Sequence, residues 1–346
     1  HKARVRSHRK FGTAVVIFPD GFKIDVATAR MEYYEFPGAP PIVESSSLRM
    51  DLYRRDFAVN ALAIRLNKND YGVLIDYFGA QKDIKDRVLR VLHNLSFVED
   101  PTRVFRAIRF EQRFGFKIGK LTLSLMKNAV KLNCFKDVSG RRLLLELKLI
   151  LKEQDPIGAI RRMNEFDLLQ FISPHIEFND KVNQLLEETK KVIAWYNLIY
   201  AEEPFEPWKV YWYAITSSLD NEAIKSLSEN MGMNDVEGRR IISQRLEFDG
   251  LVESLFRFSG DNYQLYSLLD PFDTESLLYI MAKTGNERIK RGISLYFTQL
   301  KGIKVEITGK YLSAMGFKPG PIFKDIFDGL LAVSYTHLTL PTKRIV

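Results

Sequence analysis

Residues 97–116 read FVEDPTRVFRAIRFEQRFGF. Pro101 suits the first turn of a helix, where its missing N–H costs nothing. Phe105, Ile108 and Phe114 then supply an apolar stripe. Asp100, Arg103, Arg106 and Arg109 recur every three residues, so they wind along one side of that helix, and the opposite side is apolar. A carboxylate accepts from an exocyclic amino group such as adenine N6 or cytosine N4, and a guanidinium donates to ring nitrogens or carbonyls. Asp100 with Arg103 can therefore meet the Watson–Crick edge of A or C, and the further arginines can hold a triphosphate. Surface ion pairs at i,i+3 and i,i+4, each worth about 0.2–0.5 kcal/mol, leave the same pattern.

Upstream, residues 11–93 read as mixed α and β. Thr13–Phe18 and Phe22–Thr28, joined by Pro19-Asp20-Gly21, predict a hairpin. Phe22, Ile24 and Val26 share the face expected against the core, which turns Asp25 to the other face as a candidate metal ligand or charge-tuning group. A solvated edge-strand carboxylate fits equally. Residues 34–48 are rich in Pro and Ser and read as a loop. Asp56–Leu66 carries helical periodicity, Val73–Phe78 reads as a buried strand, Gln81–Asp86 as a short helix and Val88–Leu92 as a last strand. In Arg54-Arg55-Asp56-Phe57-Ala58-Val59-Asn60-Ala61, Asp56 is placed to cap the helix, whose free N–H groups beside Arg55 suit a phosphate. A capping Asp with two solvated arginines accounts for the same residues.

Downstream the pattern turns to helix after helix, near 120–131, 139–152, 157–171, 179–199, 206–217, 234–257, 273–282 and 285–299. Trp208, Trp212 and Tyr213 fit a core at this spacing, or stacking on bases. Lys318-Pro319-Gly320-Pro321 opens a last helix, Ile322–Val333, whose free amides can hold a backbone phosphate. Residues 334–346, SYTHLTLPTKRIV, share neither its period nor its composition and read as a translated read-through tail.

The chain has 346 residues, 46% hydrophobic and 27% charged, with no apolar run long enough for a membrane span. Its net charge of +8, concentrated in HKARVRSHRK at residues 1–10 and in the arginines from 103 to 113, suits a polyanionic partner. One cysteine, Cys134, points to a reducing, cytoplasmic setting.

In this order, IDVATAR (24–30), LYRRDFAVNALAI (52–64), LIDYFGAQKDI (74–84), residues 97–116, VSGRRLLLELKLIL (138–151) and TGKYLSAMGFKPGPIF (308–323) resemble the class II tRNA nucleotidyltransferase and bacterial poly(A) polymerase family, within the polymerase-β superfamily. The likeness is dense over 11–151 and sparse over 157–300. It implies an α+β fold: a partial nucleotidyltransferase head (1–93), a helical neck with the nucleotide-reading motif (94–155), and a helical, tRNA-binding body and tail (156–333).

The resemblance also implies roles. Arg55 and Asp56 match the ribose- and nucleotide-binding motif, with Asn60 just inside it. Asp100 and Arg103 match the pair that acts as a protein template for C and A, Arg106 and Arg109 match further nucleotide contacts, and Glu99 positions the pair. Arg142 and Glu146 match a supporting neck-helix motif. Asp76 and Gly79 match the motif for reorientation between C and A, and Asp25 falls where a third catalytic carboxylate is expected.

The implied activity is transfer of CMP or AMP from CTP or ATP to the 3′ end of tRNA, with Mg2+. CCA addition, A addition and poly(A) tailing all remain open, as does a non-catalytic RNA-binding module. The family's Gly-Gly loop and Asp-x-Asp metal pair are expected upstream of residue 1, so the chain alone is expected to bind nucleotide without transferring it. The wording of residues 92–116 is similar to large family members that carry CBS domains. Nothing in the sequence sets the oligomeric state.

Overall fold

The computed structural model describes residues 3–8, 12–200, 203–303, 307–318 and 320–337. The chain divides into two compact units, residues 1–174 and 175–346.

The first unit opens with an antiparallel meander of β1 (Arg4–His8), β2 (Thr13–Ile17) and β3 (Lys23–Ala27). The expected hairpin is its second half. The Phe18 N–H donates to the Phe22 carbonyl at 2.8 Å, and Gly21 takes the left-handed turn position at φ +85°. β1 falls inside the basic run, whose composition gave no strand signal. The expected burial of Phe22, Ile24 and Val26 is corrected, because all three are exposed. Alternation sets which residues share a face, but only a packed partner buries that face.

β4 (Arg30–Tyr33) pairs with β5 (Ile42–Ser45), and α1 (Leu48–Tyr53) follows, capped by Ser47. The stretch read as a loop thus contains a strand and leads into a helix. The expected helix over Asp56–Leu66 is also corrected. Ala58–Asn60 makes one 3-10 turn, and β6 (Leu62–Ile64) then pairs antiparallel with β7 (Leu74–Asp76). The run AVNALAI satisfies either period, and a partner strand ten residues on decides it. Only Ile75 of the expected buried strand is buried.

α2 (Ala80–Asp86) and β8 (Val88–Leu89) complete the head, with β8 parallel to β9 (Lys117–Ile118). Between those strands lie α3 (Ser96–Glu99) and α4 (Arg103–Phe114), which stops at Gly115 in the left-handed conformation. α5 (Lys120–Lys131), α6 (Gly140–Leu151) and α7 (Ile157–Glu165) follow. Val104, Phe105, Ala107 and Ile108 of α4 form the core with Phe57, Leu89, Phe97, Leu147, Ile160 and Met163. Phe114 is exposed, and Phe110 takes its place against Phe57. α7 is tied to α4 by Arg162, whose Nε donates to Glu111 Oε2 at 3.0 Å. Residues 156–174, assigned from sequence to the body, therefore belong to the first unit.

The second unit is helical: α8 (Asp180–Leu198), α9 (Pro207–Ile215), α10 (Asn221–Asn230), α11 (Val236–Arg257), α12 (Asn262–Leu269), α13 (Thr274–Lys283), α14 (Glu287–Leu295), α15 (Gly309–Ala314) and α16 (Pro321–His337). Trp208, Trp212 and Tyr213 are all buried, with Tyr213 edge-on to Phe248 at 4.9 Å, so of the two readings of these rings the structure takes the core. α16 runs four residues past its expected end. Tyr335 is 1% exposed, and its hydroxyl donates to the Leu300 carbonyl at 3.0 Å. Pro319 and residues 338–346 lie outside the described residues. Among the described residues no helix is long and apolar enough to cross a membrane.

Candidate nucleotide-binding cleft

A cleft of about 720 Å³ opens in the first unit, walled by β4, by the segment after α1, and by α4 and α6. Of the residues singled out in the sequence, it gathers Arg55, Asp56, Asn60, Asp100, Arg103, Arg106, Arg142 and Glu146.

Asp56, only 7% exposed, is saturated by protein partners. Its Oδ1 accepts from the Phe57 N–H at 2.9 Å and from Asn60 Nδ2 at 2.8 Å. Its Oδ2 accepts from Arg106 Nε and Nη2 at 2.8 and 2.5 Å. Burial works against charge on Arg106, but Asp56 and then Glu146 outweigh it and raise its pKa. Burial also raises the Glu146 carboxyl, against the pull of Arg106 and Arg109.

Asp100 is held on one side only. The Thr102 N–H and hydroxyl and Arg142 Nη2 all donate to Oδ1, at 3.1, 2.6 and 2.9 Å. Among the described residues none donates to Oδ2. Arg142 also donates to the Gly38 carbonyl at 2.7 Å, fixing itself between the 34–41 loop and Asp100. Arg103 is 5% exposed. Its Nη1 donates to Ser96 Oγ at 2.8 Å and its Nη2 to the Arg54 carbonyl at 2.8 Å. Arg55 is the loosest guanidinium here. Its side chain is 43% exposed, 3.6 Å from Asp51, with one bond of 3.3 Å to the Asn60 carbonyl.

Other expected site residues stand elsewhere. Arg109 is buried, 3.3 Å from Glu153 and stacked on Phe110, and it does not line the cleft. A step of three residues falls about 60° short of a full turn, so Arg109 points about 120° away from Arg103. Glu99 lines a neighbouring cavity of about 380 Å³ with His93, whose Nε2 lies 3.5 Å from its Oε2. Burial, then Arg103, depresses His93 to about 4, so this contact joins a neutral ring to the carboxylate near neutral pH. Asp76 accepts from the N–H groups of Phe78, Ala80 and Gln81, bracing the start of α2 behind Gly79 at φ +75°. Asp25 sits on exposed β3, paired in register with Val15, away from the cleft.

Sequence reasoning missed Glu32, Tyr34 and Ser96. Glu32 Oε1 accepts from Arg54 Nη1 at 2.8 Å, and burial pushes the Tyr34 phenol up to about 12. Glu32 meets Arg54 from twenty-two residues away, Tyr34 lies beside Glu32 in the cleft wall, and Ser96 stands seven residues before the Arg103 it holds.

The model for the poly A polymerase head domain matches residues 1–90, and that for a probable RNA and SrmB-binding site of polymerase A matches residues 115–179. An A-adding tRNA nucleotidyltransferase of Geobacter sulfurreducens is 49% identical over 95% of this chain. A solved tRNA-processing enzyme in an apo form superposes with TM-score 0.75 at 34% identity, covering 96% of this chain and 82% of its own. The chain belongs to the tRNA nucleotidyltransferase and poly(A) polymerase family. Another solved member, a tRNA nucleotidyltransferase complexed with a primer tRNA and an incoming ATP analogue, is 36% identical with TM-score 0.71, covering 87% of this chain and 84% of its own. The chain spans 38% of the length of the Geobacter relative.

The family implies a magnesium ion. Among the described residues no three His, Cys, Asp or Glu side chains gather as metal ligands. Asp25 stands apart from the cleft, and Asp56 is filled by Arg106 and Asn60. These residues do not fit the ion.

Proposed function

We propose that this cleft binds ATP, and CTP by the same contacts, within an enzyme that adds A to the 3′ end of tRNA. The observation that carries the reading is the one-sided anchoring of Asp100. Thr102 and Arg142 fix Oδ1, which leaves Oδ2 as an acceptor in the cleft beside the Arg103 guanidinium. An acceptor next to a donor complements adenine N6 and N1, or cytosine N4 and N3. Uracil and guanine, which carry a carbonyl where A and C carry the amino group, would face a carboxylate with an oxygen. Arg55, exposed and loosely held, supplies the charge for the phosphates.

Addition of A rather than CC is favoured by the relative at 49% identity, an A-adding enzyme. tRNA is the polymer proposed, because a solved relative holds a primer tRNA. The cleft accounts for selection and positioning of the nucleotide. Joining it to RNA needs metal ligands that the described residues do not gather, so the 346-residue chain is expected to bind without transferring. Calorimetric titration of the chain with ATP, CTP, UTP and GTP tests the reading. Preference for ATP and CTP, lost in Asp100→Ala, supports it, and equal affinity for all four overturns it.

A further inference from the structure

We propose that Ser96 is a positioning residue for base selection, acting through Arg103. The inference rests on the reading of Arg103 as the donor to the base edge.

Ser96 begins α3, outside the cleft, and is fully buried at 0% exposure. Its Oγ accepts from Arg103 Nη1 at 2.8 Å, and its carbonyl lies 3.5 Å from the same nitrogen. The other fork nitrogen, Nη2, is held by the Arg54 carbonyl at 2.8 Å. Two neutral oxygens from separate segments thus fix both ends of one planar group. A guanidinium held at two points has no freedom to turn about its long axis, so its remaining N–H groups leave in a set direction.

None of the hydrogen bonds described for Arg103 goes to a carboxylate. Its partners orient it without neutralising it, unlike Arg106 with Asp56 or Arg109 with Glu153. Ser96 is not interchangeable with an apolar residue of its size. Alanine there leaves one N–H of a buried cation with only a carbonyl at 3.5 Å. The guanidinium can then rotate toward other acceptors, and its donors leave the position that complements adenine N1. α3 still packs through Phe97, so the substitution alters direction more than fold.

The experiment measures affinities for ATP, CTP and UTP on the 346-residue chain, with thermal unfolding recorded for each variant. Arg103→Ala is expected to cut the preference for ATP over UTP further than any change at Ser96, with Asp100 keeping part of it. Ser96→Ala is expected to cut that preference about tenfold. The double variant should then be no less selective than Arg103→Ala alone. Ser96→Thr, which keeps the hydroxyl, is expected to retain most of the preference. Where the alanine variant does not fold, Ser96→Cys reads the same loss in part, because a thiol accepts more weakly. A wild-type chain indifferent to base sinks both this proposal and the cleft reading, and an Arg103→Ala variant as selective as the wild type sinks this proposal. Full selectivity in Ser96→Ala with reduced selectivity in Arg103→Ala overturns the role of Ser96 alone. So does equal loss in the alanine and threonine variants.

Discussion

Asp56 and Arg106, fifty residues apart, close a two-pronged ion pair between the segment after α1 and the first turn of α4. The carboxylate is nearly buried and the guanidinium partly so, which puts this pair above the near-zero worth of surface bridges. Arg106→Met should cost about 2–3 kcal/mol in urea denaturation, because it strands Asp56 without its charge partner. Arg106→Lys, which keeps the charge but loses one prong, should cost about 1 kcal/mol.

His93 makes the first unit sensitive to acid. Its folded pKa, about 4, lies below the ordinary value of 6.5. Between those values the unfolded chain binds the extra proton, so stability rises with pH there. The contribution is full above about pH 6.5 and is lost as pH falls toward 4. Discounted for partial solvent access, it amounts to about 2 kcal/mol. Denaturation midpoints from pH 7 to pH 4 should fall more steeply for the wild type than for His93→Gln. Parallel profiles would exclude His93 as the source.

Arg55 is expected to serve the phosphates and not the base. Arg55→Ala should weaken ATP and CTP about tenfold each and leave adenosine binding unchanged. A change in the ratio of ATP to CTP would assign it to base selection instead.

The last helix holds the second unit through Tyr335. Tyr335→Ala should lower that unit's stability by about 3 kcal/mol, and Tyr335→Phe by about 1 kcal/mol for the bond to the Leu300 carbonyl. Deletion of residues 334–346 should match the alanine variant in a thermal scan. An unchanged scan would show that the helix beyond Val333 adds nothing.

The site was legible where chemistry and spacing coincide over one short stretch. Asp100 does not share the expected helix, because its backbone is extended and α4 begins only at Arg103, but the types of these two residues state what they can bind. Arg109 shows where that logic stops. The same three-residue rhythm carries it round the helix to Glu153, and only geometry reveals the drift. Glu32 was invisible for another reason, because its partner Arg54 is twenty-two residues away, and a serine seven residues before Arg103 carries no signal of its own until folding turns the two together. The fold followed the same division. The Gly21 hairpin and the long helices carry their signals locally. Ala58–Ile64 does not, since its strand exists only by pairing with Leu74–Asp76. Exposure of Phe22, Ile24 and Val26 has no local signature either.

The unequal treatment of the two Asp100 oxygens has a consequence for its closest isostere. A carboxylate is symmetric, but this one has an inner oxygen facing three donors and an outer oxygen facing the cleft. An asparagine there has no choice of rotamer, because its carbonyl must take the inner place and its amide nitrogen the outer one. Asp100→Asn should therefore turn an acceptor into a donor, weakening ATP and CTP more than Asp100→Ala does, without creating a preference for UTP or GTP, whose N3–H and N1–H still meet the Arg103 donors. Which way one planar group is forced to face decides whether the exocyclic amino group is welcomed or refused.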